Sequence, residues 1–288
     1  MANRHFAKIA DVWKHLPLVE ILSTERPREY WESHAGNAVY AMVDDAERRY
    51  GASRFVEIAP ASALLGASRY LHALRALDGT GPLRRYPGSP LLAMQELGTE
   101  CSYVFCDLAG ESTDDLRQSS ERLGVSARVV GTDGMSALHE RQETIDDARH
   151  VFAHVDPYDP HALGPAGLSA LDLAVEVAAR GAGIMYWYGY SRPDERAWAF
   201  DELAGRSDGS GWWCGDMLVE STGTPRTEPD GDLGDATTPG TGFGIVTANV
   251  STAAVAACAA LGAALAAAYE GAPLPDGRPG RLDFTTRS

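Results

Sequence analysis

Residues 149–159 read RHVFAHVDPYD. An apolar run, 151–155, ends in a carboxylate, a proline and a tyrosine. A run of that length bounded by turn residues predicts a buried strand. Proline has no N–H to give to a β-ladder and so ends the pairing. Asp156 is therefore delivered to the C-terminal end of a strand, where open α/β sheets gather the groups that hold ligands. It is the first candidate catalytic residue. Taken alone, the same residues also suit an Asx-Pro turn without chemistry, so the surrounding chain has to decide.

From residue 102 onward the pattern alternates. Strands at 102–106, 128–130, 151–155 and 184–188 are separated by helices at 114–123, 136–141 and 168–180. Repeated βα units imply a parallel sheet covered on both faces. After a helix at 194–203, two strand-like runs, 212–219 and 242–250, predict an antiparallel hairpin at the sheet edge. Between them the polar Gly/Pro/Thr/Asp stretch 221–241 reads as a long mobile loop. Upstream, 10–22 reads as a short amphipathic helix with Lys14 and His15 in its middle and Pro17 bending it. Residues 28–33 read as a strand, 34–38 as a small-residue turn leading into a helix through 49, and 61–77 as a helix with Pro60 at its start. The uncharged, alanine-rich run 252–268 suits a packed helix better than a membrane span. With no fixed-period repeat and no linker, 1–288 reads as one α/β domain with a helical insertion at about 50–82.

Composition narrows the partners. Lys plus Arg is 25 against 40 Asp plus Glu, a net charge of −15, and the only lysines are Lys8 and Lys14. Nucleic-acid binders gain affinity by neutralising phosphates with a basic face, so this balance argues against an RNA or DNA partner. Cys101, Cys106, Cys214 and Cys258 form no CxxC pair and predict neither a zinc site nor a disulfide framework. They read as reduced thiols of a cytoplasmic protein, and the opening MANRHFAK holds no apolar signal core.

Along the chain stand Ala10-Asp11-Val12-Trp13-Lys14-His15, His34-Ala35-Gly36, Tyr86-Pro87-Gly88-Ser89-Pro90, Asp133-Gly134, Val155-Asp156-Pro157 and Tyr186-Trp187-Tyr188. These motifs, in this order, resemble the bacterial 23S rRNA adenine-N6 methyltransferase family. The resemblance implies an α/β, Rossmann-like class I methyltransferase sheet, mostly parallel with a terminal antiparallel hairpin, and S-adenosylmethionine as cofactor. It implies cofactor contacts at Lys14, His15, His34, Gly36, Ser89, Asp107, Asp133 and Gly134, and no metal. Residue chemistry agrees at several of these. A small-residue loop at Gly36 lets backbone approach a cofactor closely, and an acid at a strand end, Asp107, suits ribose hydroxyls.

The departures lie on the substrate side. The family loop reads Asp-Pro-Pro-Tyr, whereas here one proline is missing and Tyr158 follows Pro157 directly. The N-terminal arm, which lies near RNA in the family, is shorter, and Ala38 stands where a second loop glycine is expected. A kept cofactor side with an altered substrate side leads to the expectation of methyl transfer to a nitrogen or oxygen of a small or carrier-bound metabolite in specialised metabolism. Asp156 and Tyr158 are then catalytic, and Pro157, Tyr186 and Tyr188 meet the substrate. The alternatives are rRNA adenine-N6 methylation, a fold repurposed for ring closure or elimination, and a non-catalytic subunit; homo- or hetero-oligomerisation stays open.

Overall fold

A computed structural model describes residues 5–145, 147–207, 211–221 and 237–288. In chain order the elements are α1 (Ile9–Glu25), β1 (Glu29–Glu32), β2 (Val39–Ala41), α2 (Ala46–Arg48), α3 (Arg54–Ile58), α4 (Ala63–Gly66), α5 (Arg69–Asp78), β3 (Arg85–Pro87) and α6 (Ser89–Leu97). Then follow β4 (Ser102–Cys106), α7 (Gly110–Leu123), β5 (Ser126–Val130), α8 (Gly134–Glu143), β6 (Val151–Val155), α9 (Ala170–Ala179) and β7 (Gly183–Tyr190). The chain ends with α10 (Trp198–Arg206), β8 (Trp212–Ser221), β9 (Gly242–Ala248), α11 (Thr252–Ala268), β10 (Ala272–Pro273) and β11 (Pro279–Arg287).

One sheet runs β10-β11-β8-β9-β7-β6-β1-β4-β5. The pairs β5–β4, β4–β1, β1–β6 and β6–β7 are parallel, and β9 and β8 then pair antiparallel beyond β7. This is the α/β Rossmann-like sheet with a parallel core and an antiparallel hairpin that the sequence implied, but it is mixed and not mostly parallel, since the antiparallel part is as large as the parallel one. The hairpin is not the edge, however, because β11 pairs antiparallel with β8 along Gly280–Arg287 and β10 adds a further strand. Strand order reverses between β1 and β6: the chain first builds outward through β4 and β5, then returns to build through β6 and β7. Ligands of open α/β sheets bind at such a switch point.

Burial explains the apolar runs. One face packs against α1, α6 and α11, where Trp13, Leu16, Leu92, Phe105, Phe152 and Leu261 lie buried. The other packs against α8, α9 and α10 through Trp31, Ala153, Leu138, Leu173 and Leu203. Strands covered on both faces need no polar alternation.

Three local expectations change. Helix α1 is not amphipathic: its residues from Ile9 to Val19 are all buried, because it lies between the sheet and helices α5, α6 and α11. Pro17 sits within it without ending it. Residues 39–41 are a strand, not helix, pairing with β3 so that Tyr40 faces Tyr86. The segment is held there because the Asp115 carboxylate accepts the Ala38 and Val39 N–H groups at 2.7 and 3.2 Å. The helix read at 61–77 is broken between α4 and α5, where Ser68 caps α5 by accepting the Leu71 N–H. Of the loop read at 221–241, residues 222–236 lie outside the described residues. No helix among the described residues is long and apolar enough to cross a membrane.

Candidate active site

A cavity of about 800 Å³ opens across the C-terminal ends of the parallel strands, within the usual range of about 300–1,000 Å³ for small-ligand sites. Sheet order divides it. Over β4 and β1 stand Asp107 and the loop His34-Ala35-Gly36; over β7 and the start of β9 stand Trp187, Tyr188, Tyr190 and Phe243. Asp156, at the end of β6, lies between the two halves.

The loop after β1 is pinned from below. Gly36 adopts φ +62, a left-handed conformation open to glycine at no steric cost. Its N–H donates to Asp107 Oδ2 at 2.8 Å, while Asp107 Oδ1 accepts the Ala109 N–H at 2.8 Å. Each carboxylate oxygen thus has one protein partner and keeps capacity for a further donor.

The charged centre comes from α1. Lys14 Nζ lies 2.7 Å from Asp156 Oδ2 and 3.2 Å from Asp11 Oδ1. For Asp156, burial pushes the pKa up but the charges of Lys14 and His154 more than offset it, so the carboxyl titrates below its usual range. Asp11 ends above its usual value because burial outweighs the help it receives from Lys14. Lys14 is destabilised by burial yet held charged by both carboxylates, well above its ordinary value. Trp187 completes the centre, with the ammonium 5.5 Å from its ring centroid.

Two histidines are neutral neighbours. His15 Nδ1 lies 2.8 Å from the Tyr86 hydroxyl, and burial, reinforced by Lys14, lowers its pKa well below the ordinary value. His34 Nδ1 lies 2.8 Å from Ser33 Oγ, and burial lowers its pKa despite Asp156, Asp133 and Asp107 nearby. Both can exchange hydrogen bonds with a ligand but bring no charge to it at neutral pH.

Of the residues expected from sequence, the cavity brings together Lys14, His15, His34, Gly36, Ser89, Asp107, Asp156, Pro157, Tyr158 and Tyr188. Tyr158 stands at the rim, 92% exposed. Ser89 is turned inward, donating to Glu32. Three residues do not line the cavity. Asp133 caps α8, accepting the Ser136 N–H at 2.8 Å. Gly134 is packed so closely that a Cβ would stand 1.8 Å from the Ser33 carbonyl oxygen. Tyr186 shares a face with Tyr188 but lies one strand repeat, about 6–7 Å, deeper, and is fully buried.

Sequence reading missed Asp11, Glu32, His154, Tyr190 and Asp216. Asp11 was detectable, since a carboxylate three residues before a lysine in a helix faces it. Glu32 and His154 form a fully buried pair, Nδ1 to Oε1 2.9 Å, across neighbouring strands. The Glu32 carboxylate also accepts the Tyr30 hydroxyl at 3.2 Å. The one signal was a histidine inside the apolar run of β6. Among the described residues no group of three His, Cys, Asp or Glu side chains is placed to hold a metal ion.

The family described as "Ribosomal RNA large subunit methyltransferase D, RlmJ" matches residues 25–188 of this chain. Over 162 residues the chain is 27% identical to ribosomal RNA large subunit methyltransferase J of Escherichia coli (strain K12). That match covers 53% of this chain and 56% of the relative, so it spans little more than half the length of either. A crystal structure of a Legionella pneumophila protein superposes with a TM-score of 0.76 over 99% of this chain and 98% of its own, at 17% identity, a likeness of fold. The matched family and the E. coli relative are both named for ribosomal RNA methylation. That overturns the expectation of a small or carrier-bound substrate and no nucleic acid. Net charge describes a whole surface and not the lining of one local cavity.

Proposed function

This chain belongs to the ribosomal RNA large subunit methyltransferase J family, and from that premise we propose that it methylates an amino group of a ribosomal RNA base, using S-adenosylmethionine. The observation that carries this reading is the position of Asp156, in the middle of a cavity with a backbone-and-carboxylate half on one side and an aromatic half on the other. When bound, the cofactor supplies a methyl group made electrophilic by its sulfonium.

The residues fit that cofactor. Asp107 retains acceptor capacity for ribose hydroxyls, the left-handed Gly36 lets backbone approach closely, and His15 and His34 offer neutral ring nitrogens. Gly88 closes the same half, since a Cβ there would stand 2.1 Å from the Asn37 carbonyl oxygen. Asp156 Oδ2 is engaged by Lys14, which leaves Oδ1 to accept an N–H of the target amine and aim its lone pair. Such alignment is the main source of rate when two bound groups react. As the N–C bond would form, the methyl–sulfur bond would break with its electron pair going to sulfur, leaving neutral S-adenosylhomocysteine, and the positive charge would pass to the amine nitrogen. A carboxylate held below its usual pKa stays ionised beside that charge and stabilises it, and the proton passes on to solvent.

The test is methyl transfer from radiolabelled S-adenosylmethionine to an unmodified large-subunit rRNA transcript, followed by nucleoside mass spectrometry. A methylated adenosine that disappears in Asp156→Asn is the expected result. Binding of S-adenosylhomocysteine without any methylated nucleoside would overturn the substrate, and absence of that binding would overturn the reading as a whole.

A further inference from the structure

Tyr188 and Tyr190 line the half of the cavity over β7, 2% and 8% exposed, and their hydroxyls are turned toward β8. Both donate to one carboxylate: Tyr188 to Asp216 Oδ2 and Tyr190 to Asp216 Oδ1, each at 2.6 Å. Asp216, on β8, is 1% exposed. Arg196 Nε donates to the same Oδ1 at 2.8 Å and, through its other nitrogens, holds the Asp283 carboxylate and carbonyl on β11 at 2.6 Å. Hydrogen bonds to an ionised acceptor are about twice as strong as neutral ones and correspondingly directional. Burial and the adjacent Asp216 raise both tyrosine pKa values, so the hydroxyls stay protonated as donors.

The intervening strand is cut to fit them. A Cβ at Gly242 would stand 2.2 Å from the Tyr190 hydroxyl and one at Gly244 would stand 2.5 Å from that of Tyr188. Two glycines at alternate positions of β9 thus leave the gap through which the hydroxyls reach β8. The rings pack with centroids 6.3 Å apart, and Trp198 meets Tyr188 edge-on at 5.7 Å.

We propose that Asp216 is a positioning residue for the substrate: it locks Tyr188 and Tyr190 so that this half of the cavity accepts a planar ring by shape and apolar contact, with no hydrogen bond from either tyrosine. The proposal rests on the methyltransferase reading above and specifies how the target base is held. It also gives the C-terminal strand β11 a role at the cavity, since Arg196 carries the lock to Asp283.

The experiment uses the full chain saturated with S-adenosylhomocysteine, titrated calorimetrically with adenosine. The variants are Tyr188→Phe, Tyr190→Phe, the double variant and Gly244→Ala, which crowds the hydroxyl while leaving Asp216 in place. Expected is a loss of adenosine affinity of about ten-fold in the double variant, the size of one charge-assisted hydrogen bond's worth of ordering, with S-adenosylhomocysteine affinity unchanged. In turnover the Michaelis constant for RNA rises more than the turnover number falls. Lowered melting temperature with wild-type adenosine affinity would make the network purely structural and overturn the proposal. Failure of the wild type to bind S-adenosylhomocysteine would instead remove the reading it rests on.

Discussion

Replacing Lys14 with methionine keeps most of the side-chain volume and removes the charge that sits 2.7 Å from Asp156 and 3.2 Å from Asp11. Two partly buried carboxylates are then left facing each other. An opposite charge at such a distance lowers a carboxyl pKa by about 1–3 units, equivalent to about 1.4–4 kcal/mol of preference for the ionised form. The sign follows from the wild type, in which Asp156 titrates below its usual range. Its ionised form is favoured by folding, so the stability it contributes is present above its unfolded pKa and is lost as pH falls through the lower folded value. In Lys14→Met that advantage disappears, and the acid limb of the pH–rate profile moves up by about 1–3 units. The assay is initial-rate methyl transfer to an rRNA transcript as a function of pH, with S-adenosylhomocysteine affinity measured in parallel. An unmoved acid limb together with weakened cofactor binding would refute the argument, because Lys14 would then serve the cofactor alone.

Asp107→Ala removes the acceptor for Gly36 N–H as well as a candidate ribose contact, and should weaken S-adenosylhomocysteine binding by about ten-fold or more in calorimetry. Gly134→Ala has no room beside Ser33; it should lower stability in a denaturant titration by about 1–3 kcal/mol, as overpacked sites do. His154→Leu strands the buried Glu32 carboxylate without its imidazole partner. Denaturant unfolding should show a loss of about 3–5 kcal/mol, with His154→Asn recovering part of it by restoring a donor. Fluorescence-anisotropy titration against an rRNA fragment should give a salt slope well below that of a protein making about 6–10 phosphate contacts, because Lys8 and Lys14, which line the cavity, are both paired with carboxylates.

The sheet was legible because burial on both faces writes itself into the chain as short apolar runs, and β6 ends where Pro157 follows Asp156. Strand ends also made Asp107 and Asp156 visible as candidates. What pairing and register decide was not visible. Glu32 and His154 meet only because β1 and β6 align Glu32 with His154. Asp216 reaches two tyrosines across β9, a relation set by the hairpin register and by two glycines. Strand β2 was read as helix because its partner, β3, follows only after helices α2 to α5. Strand β11 escaped notice because β10 covers only its first two residues, and Arg281, Thr285, Thr286 and Arg287 are exposed and polar.

The acidic balance misled for a related reason. A net charge of −15 speaks to long-range attraction for phosphates, which is what the salt-slope measurement reads. It says nothing about how a base is held once inside. Among the described residues that line the cavity, Lys14 is committed to Asp156 and Asp11 and Lys8 to Glu47, so these lysines face carboxylates of the protein. On the proposed reading, recognition then depends on ring contact in the half over β7, where base–aromatic stacking is worth about 1–3 kcal/mol per base. The missing proline falls in place within this picture. With Tyr158 at the rim and 92% exposed, the wall that meets the ring is built from Tyr188 and Tyr190, and their stiffness comes from the buried Asp216 lock, not from the loop that carries Asp156.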